Sequence, residues 1–161
     1  MAHSLAGLHA KWLQHDVLHK ADWLRPISRW ELDARWFAAR RALFLERFGD
    51  RLDGLARSLL DRIEHARPIA NERLECAPTT LLHADLHLDN ILFERETQPV
   101  ILDWARCAKG PIAIDLADLL FEMCQLEDVE PTLASYFDAF QKHSAKALDA
   151  TLIRSQLGGG L

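Results

Sequence analysis

The hydrophobic repeat of this chain changes period near residue 79, and that change confines it to a helical domain with a small β element at its centre. Upstream, Trp36, Arg40, Leu43, Phe44, Phe48, Leu52, Leu55, Leu59 and Ile63 recur at spacings of three and four. Such spacing gathers side chains on one helix face, so it predicts a long helix with a mostly buried stripe and a solvated arginine face. Gly49 and Gly54 are points where that helix can bend, and Pro68 is expected to close it. Ser4 to His15 predicts an earlier helix, with Leu5, Leu8, Trp12 and Leu13 on one face. The segment around Trp23, Pro26 and Trp30 reads as a connector, because Pro26 disfavours helix at Arg25.

Downstream the runs shorten. Thr79 to Leu82, Ile91 to Phe93 and Val100 to Leu102 are β-prone, and the polar stretch from Glu94 to Pro99 joins the last two as a hairpin. Gly110-Pro111 marks a loop. Asp115 is expected to cap a helix containing Leu116, Leu119, Leu120 and Met123. Pro131 opens another, with Leu133, Phe137 and Phe140. A last helix is expected from Ala145 to about Leu157, and 158–161 form a flexible tail. The fold class is α+β, mainly α-helical, as one domain over 1–161.

Composition narrows function. With 161 residues, 49% of them apolar and 27% charged, the chain can build a real core. No apolar run approaches the roughly 18 residues of a membrane span. Four His and two Lys between Met1 and Lys20 argue against a signal peptide. The three cysteines, Cys76, Cys107 and Cys124, form no C-x-x-C pair and suit a reducing cytoplasm. A net charge of −5 argues against nucleic acid. Arg25 to Arg73 holds 11 basic and 8 acidic residues, whereas Leu74 to Asp138 holds 3 and 13. The second stretch would attract metal cations and cationic ligands. Asp118, Glu122, Glu127, Asp128 and Glu130 read more simply as a solvated face.

That acidic stretch contains His83-Ala84-Asp85-Leu86-His87-Leu88-Asp89-Asn90. His-x-Asp with Asn five residues after the Asp is the spacing of a kinase catalytic loop. Thirteen residues after Asn90, Asp103 ends an apolar strand, where kinases place a magnesium-binding Asp. Phosphoryl transfer needs a positioned hydroxyl, metal ions on the phosphates and stabilised charge. Asp85 suits the base, and Asn90 and Asp103 supply the oxygen ligands that Mg²⁺ prefers. A hairpin between them would let both face one cavity.

The segment resembles the phosphotransferase family that includes aminoglycoside, macrolide, choline and homoserine kinases. The likeness rests on His83-Ala84-Asp85-Leu86-His87, Leu102-Asp103-Trp104, Gly110-Pro111, Asp115-Leu116-Ala117 and the helix start Leu5-Ala6-Gly7-Leu8-His9-Ala10. It implies the C-terminal lobe of a protein-kinase-like fold, with a small β-hairpin insertion carrying the catalytic loop. It also implies ATP as donor with Mg²⁺ and a small-molecule hydroxyl as acceptor, and the acidic balance of the stretch suits a cationic one. Asp85 matches the catalytic base, and Asn90 and Asp103 the metal ligands. His83 matches a histidine bracing the loop, and Asp115 an aspartate holding its backbone. His87 stands where protein kinases place a Lys near the transferred phosphate, so it is in position to donate to a phosphoryl oxygen.

The nucleotide-gripping lobe of such an enzyme has no counterpart in these residues. Before Asp85 the glycines Gly7, Gly49 and Gly54 are scattered, and the only lysines are Lys11 and Lys20. The expectation is a lobe inactive or weakly active by itself. Two other readings stand beside it. His83, Asp85 and His87 alternate, so in an extended segment they would share a face and hold the metal of a hydrolase. Alternatively, the chain is a non-catalytic lobe that binds a partner.

Overall fold

The computed structural model describes residues 1–27, 34–75, 77–95 and 98–157. These fall into two units, one built from 1–27 with 77–157 and the other within 34–75. Trp30 of the expected connector and the expected tail 158–161 lie outside the described residues.

The first unit is organised around helix α1 (Ala2–Trp12), which packs along α6 (Val129–His143). Leu5, Ala6, His9 and Ala10 form the buried stripe of α1, and Leu133, Tyr136, Ala139 and Phe140 that of α6. Helix α5 (Ala113–Met123) adds Leu116 and Leu119, and α7 (Ala150–Gln156) adds Ile153. Leu86 and Ile91 bury in the same core, which anchors the central loop from both sides. The short α2 (Asp16–Lys20) follows α1 as a separate helix. The expected continuation to His15 fails because Gln14 turns left-handed (φ 49°) and its N–H goes to Thr79 O, while the His15 ring caps α2 through Val17 N.

Among the described residues, four short strands make two antiparallel pairs. Strands β2 (Ile91–Glu94) and β3 (Gln98–Ile101) form the expected hairpin, with Ile91 opposite Ile101. Strand β1 (Thr79–Leu82) pairs with β4 (Ala108–Pro111), and Leu82 sits opposite Ala108. Gly110-Pro111 is therefore strand and not loop. The glycine serves a close approach: a Cβ there would lie 2.6 Å from Ile27 Cγ2 and 2.9 Å from Leu82 Cδ1. Pro111 stands at the last position of β4, where its missing N–H is tolerated.

Helix starts also shift. Helix α6 begins two residues before Pro131, at a first turn whose N–H groups have no intrahelical partner anyway. Helix α7 begins at Ala150, where Asp149 accepts from Leu152 N at 2.9 Å.

In the second unit the expected long helix is two, α3 (Ala34–Phe48) and α4 (Gly54–Glu75), divided by a 3-10 turn at Gly49–Arg51. Asp53 starts α4 by accepting from Ala56 N at 2.8 Å. Helix α4 runs through Pro68, which corrects the expected stop. The proline removes one hydrogen bond, but the helix-forming residues after it carry the helix to Glu75. The expected buried stripe is also corrected: Trp36, Leu43, Phe44, Phe48, Leu55, Leu59 and Ile63 are exposed. Periodicity identifies an apolar face but does not supply the surface that covers it.

Candidate active site

Strand β1 delivers the chain to His83, and from there every turn of the loop is fixed by a named contact. The Asp115 carboxylate accepts from His83 N and from Ala84 N, each at 2.8 Å. Helix α5 begins at Ala113, so Asp115 lies inside its first turn and caps nothing of its own helix. Its side chain is fully buried and is spent on the loop instead. His9 Nε2 stands 3.2 Å from Asp115 Oδ2, and His9 Nδ1 stands 2.7 Å from the Tyr136 hydroxyl. Burial, and secondarily the Asp115 charge, push the Tyr136 phenol far above its ordinary range, so it keeps its proton beside His9. Ala84 is left-handed (φ 61°), which turns the chain so that Asp85 leaves the line of the strand.

Asp85 faces a cleft of about 490 Å³ lined also by Leu86, His87, Ala117, Asp118, Phe121 and Glu122. Its Oδ1 accepts from Arg106 Nη1 at 3.3 Å, and its Oδ2 is 3.9 Å from His87 Nε2. Asp118 accepts from Leu86 N at 3.3 Å, a second carboxylate from α5 on the loop backbone.

Asn90 ends a 3-10 turn (Leu88–Asn90) and is buried. Its Nδ2 donates to Asp85 O at 2.9 Å and lies 3.0 Å from His87 Nε2. Its backbone O accepts from Leu102 N at 2.8 Å, which draws the residue before Asp103 onto the end of the catalytic-type loop. His83 closes the circuit from the other side. The buried ring donates from Nε2 to Leu102 O at 2.7 Å, and it meets Trp104 edge-on at 4.9 Å. Asp103 itself is left-handed (φ 53°) and exposed, with Oδ1 accepting from Ala105 N at 3.3 Å. Leu102, the residue before Asp103, is thus hydrogen-bonded to both His83 and Asn90, while Trp104 after it packs on the His83 ring.

The donor set fits a hard cation. Both Nδ2 contacts of Asn90 are accounted for, which leaves Oδ1 as its free ligand atom, and the Asp103 carboxylate is exposed. Two protein oxygens suit Mg²⁺, which takes its other ligands from water and phosphate. The alternative hydrolase site does not assemble. The strand ends at Leu82, left-handed Ala84 breaks the alternation, and His83 Nε2 is spent on a backbone carbonyl. Among the described residues no three His, Cys, Asp or Glu side chains are grouped to hold a metal.

The model of the phosphotransferase enzyme family matches residues 2–149, nearly the whole chain. The chain belongs to the phosphotransferase enzyme family. The solved structure of a macrolide 2'-phosphotransferase type I aligns over 97% of this phosphotransferase-family chain, with a TM-score of 0.55 and 16% identity. That likeness is one of fold. The chain spans about half of that protein, 49% of its length. No curated protein sequence matches at a significant level.

Sequence reasoning quoted His9 only as part of a helix-start motif, and gave no role to it, Tyr136 or Arg106. His9 carried a signal, a polar residue on the apolar face of α1, four positions after Leu5. Arg106 had a weaker one, a cation three residues beyond Asp103. Tyr136 had none, because its partner His9 lies 127 residues away in sequence and meets it only through the fold.

Proposed function

We propose that this chain carries the catalytic loop and metal ligands of an ATP-dependent phosphotransferase acting on a small-molecule hydroxyl. The observation that carries the reading is the Asn90 amide. It donates to the Asp85 carbonyl while its own backbone carbonyl accepts from Leu102 N, which supports a shared site for Asp85, Asn90 and the adjacent Asp103.

In this reading Asp85 accepts the proton of the acceptor hydroxyl, or orients that hydroxyl for attack on the γ-phosphorus. Arg106 fixes the carboxylate through Oδ1 and places positive charge beside the transferring group. Asn90 Oδ1 and the Asp103 carboxylate hold Mg²⁺, which when bound neutralises charge on the phosphates. The backbone carbonyls and amides tied to Asp115 and His83 keep the loop from moving as charge shifts. Asp118 and Glu122 beside the cleft, with the Phe121 ring 88% exposed, suit an acceptor that carries both positive charge and an apolar face. Such an acceptor also suits the acidic balance of residues 74–138.

Positioning and charge stabilisation supply most of the rate in phosphoryl transfer, so a lobe without the groups that grip ATP loses far more than half of the catalysis. The test is turnover with Mg·ATP and a panel of amino alcohols and amino sugars. Supplied with a nucleotide-binding lobe of the family, the chain should transfer phosphate, and Asp85→Asn should abolish it. Micromolar ATP binding and Asp85-dependent transfer by the 161 residues alone would contradict the division of labour.

A further inference from the structure

The side chain of His87 lies between the proposed base and a proposed metal ligand, and its hydrogen bonding specifies which of two jobs it does. A carboxamide presents an oxygen and a nitrogen of nearly equal size, and only the oxygen can ligate a cation. Something must therefore hold Asn90 with Oδ1 outward. One atom, Nδ2, makes both of its side-chain contacts, to Asp85 O at 2.9 Å and to His87 Nε2 at 3.0 Å. Nδ2 carries two protons and no acceptor capacity, so each contact uses one proton. His87 Nε2 must then be the lone-pair nitrogen, and its ring proton must reside on Nδ1.

We propose that His87 is a positioning residue for Asn90: its Nε2 accepts the second amide proton and so locks Oδ1 toward the metal site. The inference rests on the reading of Asn90 as a metal ligand. It refines the expectation from sequence, in which His87 donates to a phosphoryl oxygen. Nε2 is not available as a donor, and Nδ1 becomes the ring's one N–H. The Asp85 carboxylate does not compete for the ring, because Oδ2 at 3.9 Å from Nε2 is beyond hydrogen-bond range. The ring is partly exposed at 39% and lines the cleft beside Asp85, so one residue borders the acceptor space and fixes a ligand behind it.

The chain itself provides the test, with two readouts. The first is the imidazole tautomer, read by ¹⁵N NMR on protein labelled at histidine. His87 should carry its proton on Nδ1, the minor tautomer of free neutral imidazole in water. The second is Mn²⁺ affinity, read by electron paramagnetic resonance without nucleotide. His87→Leu should weaken it about tenfold, as loss of a ligand-orienting partner does. His87→Gln places an amide oxygen near the position of Nε2 and should restore it to within about twofold of wild type on that basis. An Nε2–H tautomer overturns the proposal, and so does a His87→Leu chain that is folded by circular dichroism and binds Mn²⁺ as wild type does. Mn²⁺ binding that is the same in wild type, Asn90→Ala and Asp103→Ala sinks the metal-site reading instead. The tautomer then decides by itself whether His87 holds Asn90.

Discussion

His9 Nε2 lies 3.2 Å from Asp115 Oδ2, with both side chains fully shielded from solvent. Asp115 is therefore a buried carboxylate with three partners, two of them backbone N–H groups of the loop. Losing a helix cap costs about 0.5–2 kcal/mol. Asp115→Ala would strand two buried amides and the His9 N–H together, and should cost about 3 kcal/mol or more. Urea unfolding measures it. A loss of the cap size or less would show that the loop relaxes without Asp115.

The hydroxyl at the other end of this chain of contacts sets a pH limit. Tyr136 is the only tyrosine, so tyrosinate absorbance reads it directly. Burial first and the Asp115 charge second raise its ionisation above the ordinary 10.0. The sign follows: below about pH 10 both folded and unfolded chains keep the proton, and Tyr136 adds no pH dependence. Above it the unfolded chain ionises while the folded one does not, so stability falls by up to about 1.4 kcal/mol per pH unit. Native protein should show no tyrosinate until it unfolds. Tyr136→Phe should flatten the alkaline slope while lowering stability at neutral pH by about 1 kcal/mol, the loss of the bond to His9. Reversible titration near pH 10 with the fold intact would refute this.

What could be read in advance followed the range of the forces involved. The hairpin was legible because its pattern is local: Ile91, Phe93, Val100 and Leu102 lie within a dozen residues of one another. The turn that ties Asn90 to the Asp85 carbonyl was legible for the same reason, since those residues lie five apart. Asp115 was legible as a loop partner only through the family resemblance, and its local reading as an N-cap was wrong. An acid before an apolar run looks the same whether it caps its own helix or serves a loop 31 residues away. The stripe from Trp36 to Ile63 shows the opposite limit, since a period of 3.6 says nothing about what lies opposite. Gly110 looked like a turn residue because sequence carries no sign of Ile27 and Leu82 pressing on it.

Ala84 offers a gain. A non-glycine residue in the left-handed region costs about 1–2 kcal/mol, and glycine returns part of that through greater entropy loss on folding. Ala84→Gly should stabilise the chain by about 0.5–1 kcal/mol net on those terms. Its midpoint in urea should rise with an unchanged slope. A fall would mean that the methyl group, buried in this structure, packs well enough to outweigh the strain.

Gly110→Ala should do the reverse. The new methyl would stand 2.6 Å from Ile27 Cγ2, so β4 must move away from β1 or Ile27 must yield. Overpacking of this kind costs about 1–3 kcal/mol. The cost should shrink when Ile27→Ala is made first, because the nearer of the two clashing atoms is then gone and only Leu82 Cδ1 at 2.9 Å remains. A double-mutant cycle measures the coupling, and additive losses would place the strain elsewhere.

Asp103 separates folding from chemistry. Its left-handed backbone and its bond to Ala105 N are both conformations that asparagine tolerates and can reproduce with Oδ1. Alanine keeps neither, so Asp103→Ala should cost about 1–2 kcal/mol of stability while Asp103→Asn stays within about 0.5 kcal/mol of wild type. Metal binding should rank differently. Both substitutions remove the negative charge that the proposed Mg²⁺ site supplies from this side, and neither neighbour replaces it. Asp103→Asn should therefore unfold like wild type in urea and yet bind Mn²⁺ at least about tenfold more weakly, the change expected when a hard cation loses a carboxylate ligand. A chain with Asn at 103 that binds as wild type would show that the exposed carboxylate serves the turn at Trp104–Arg106 and not a cation.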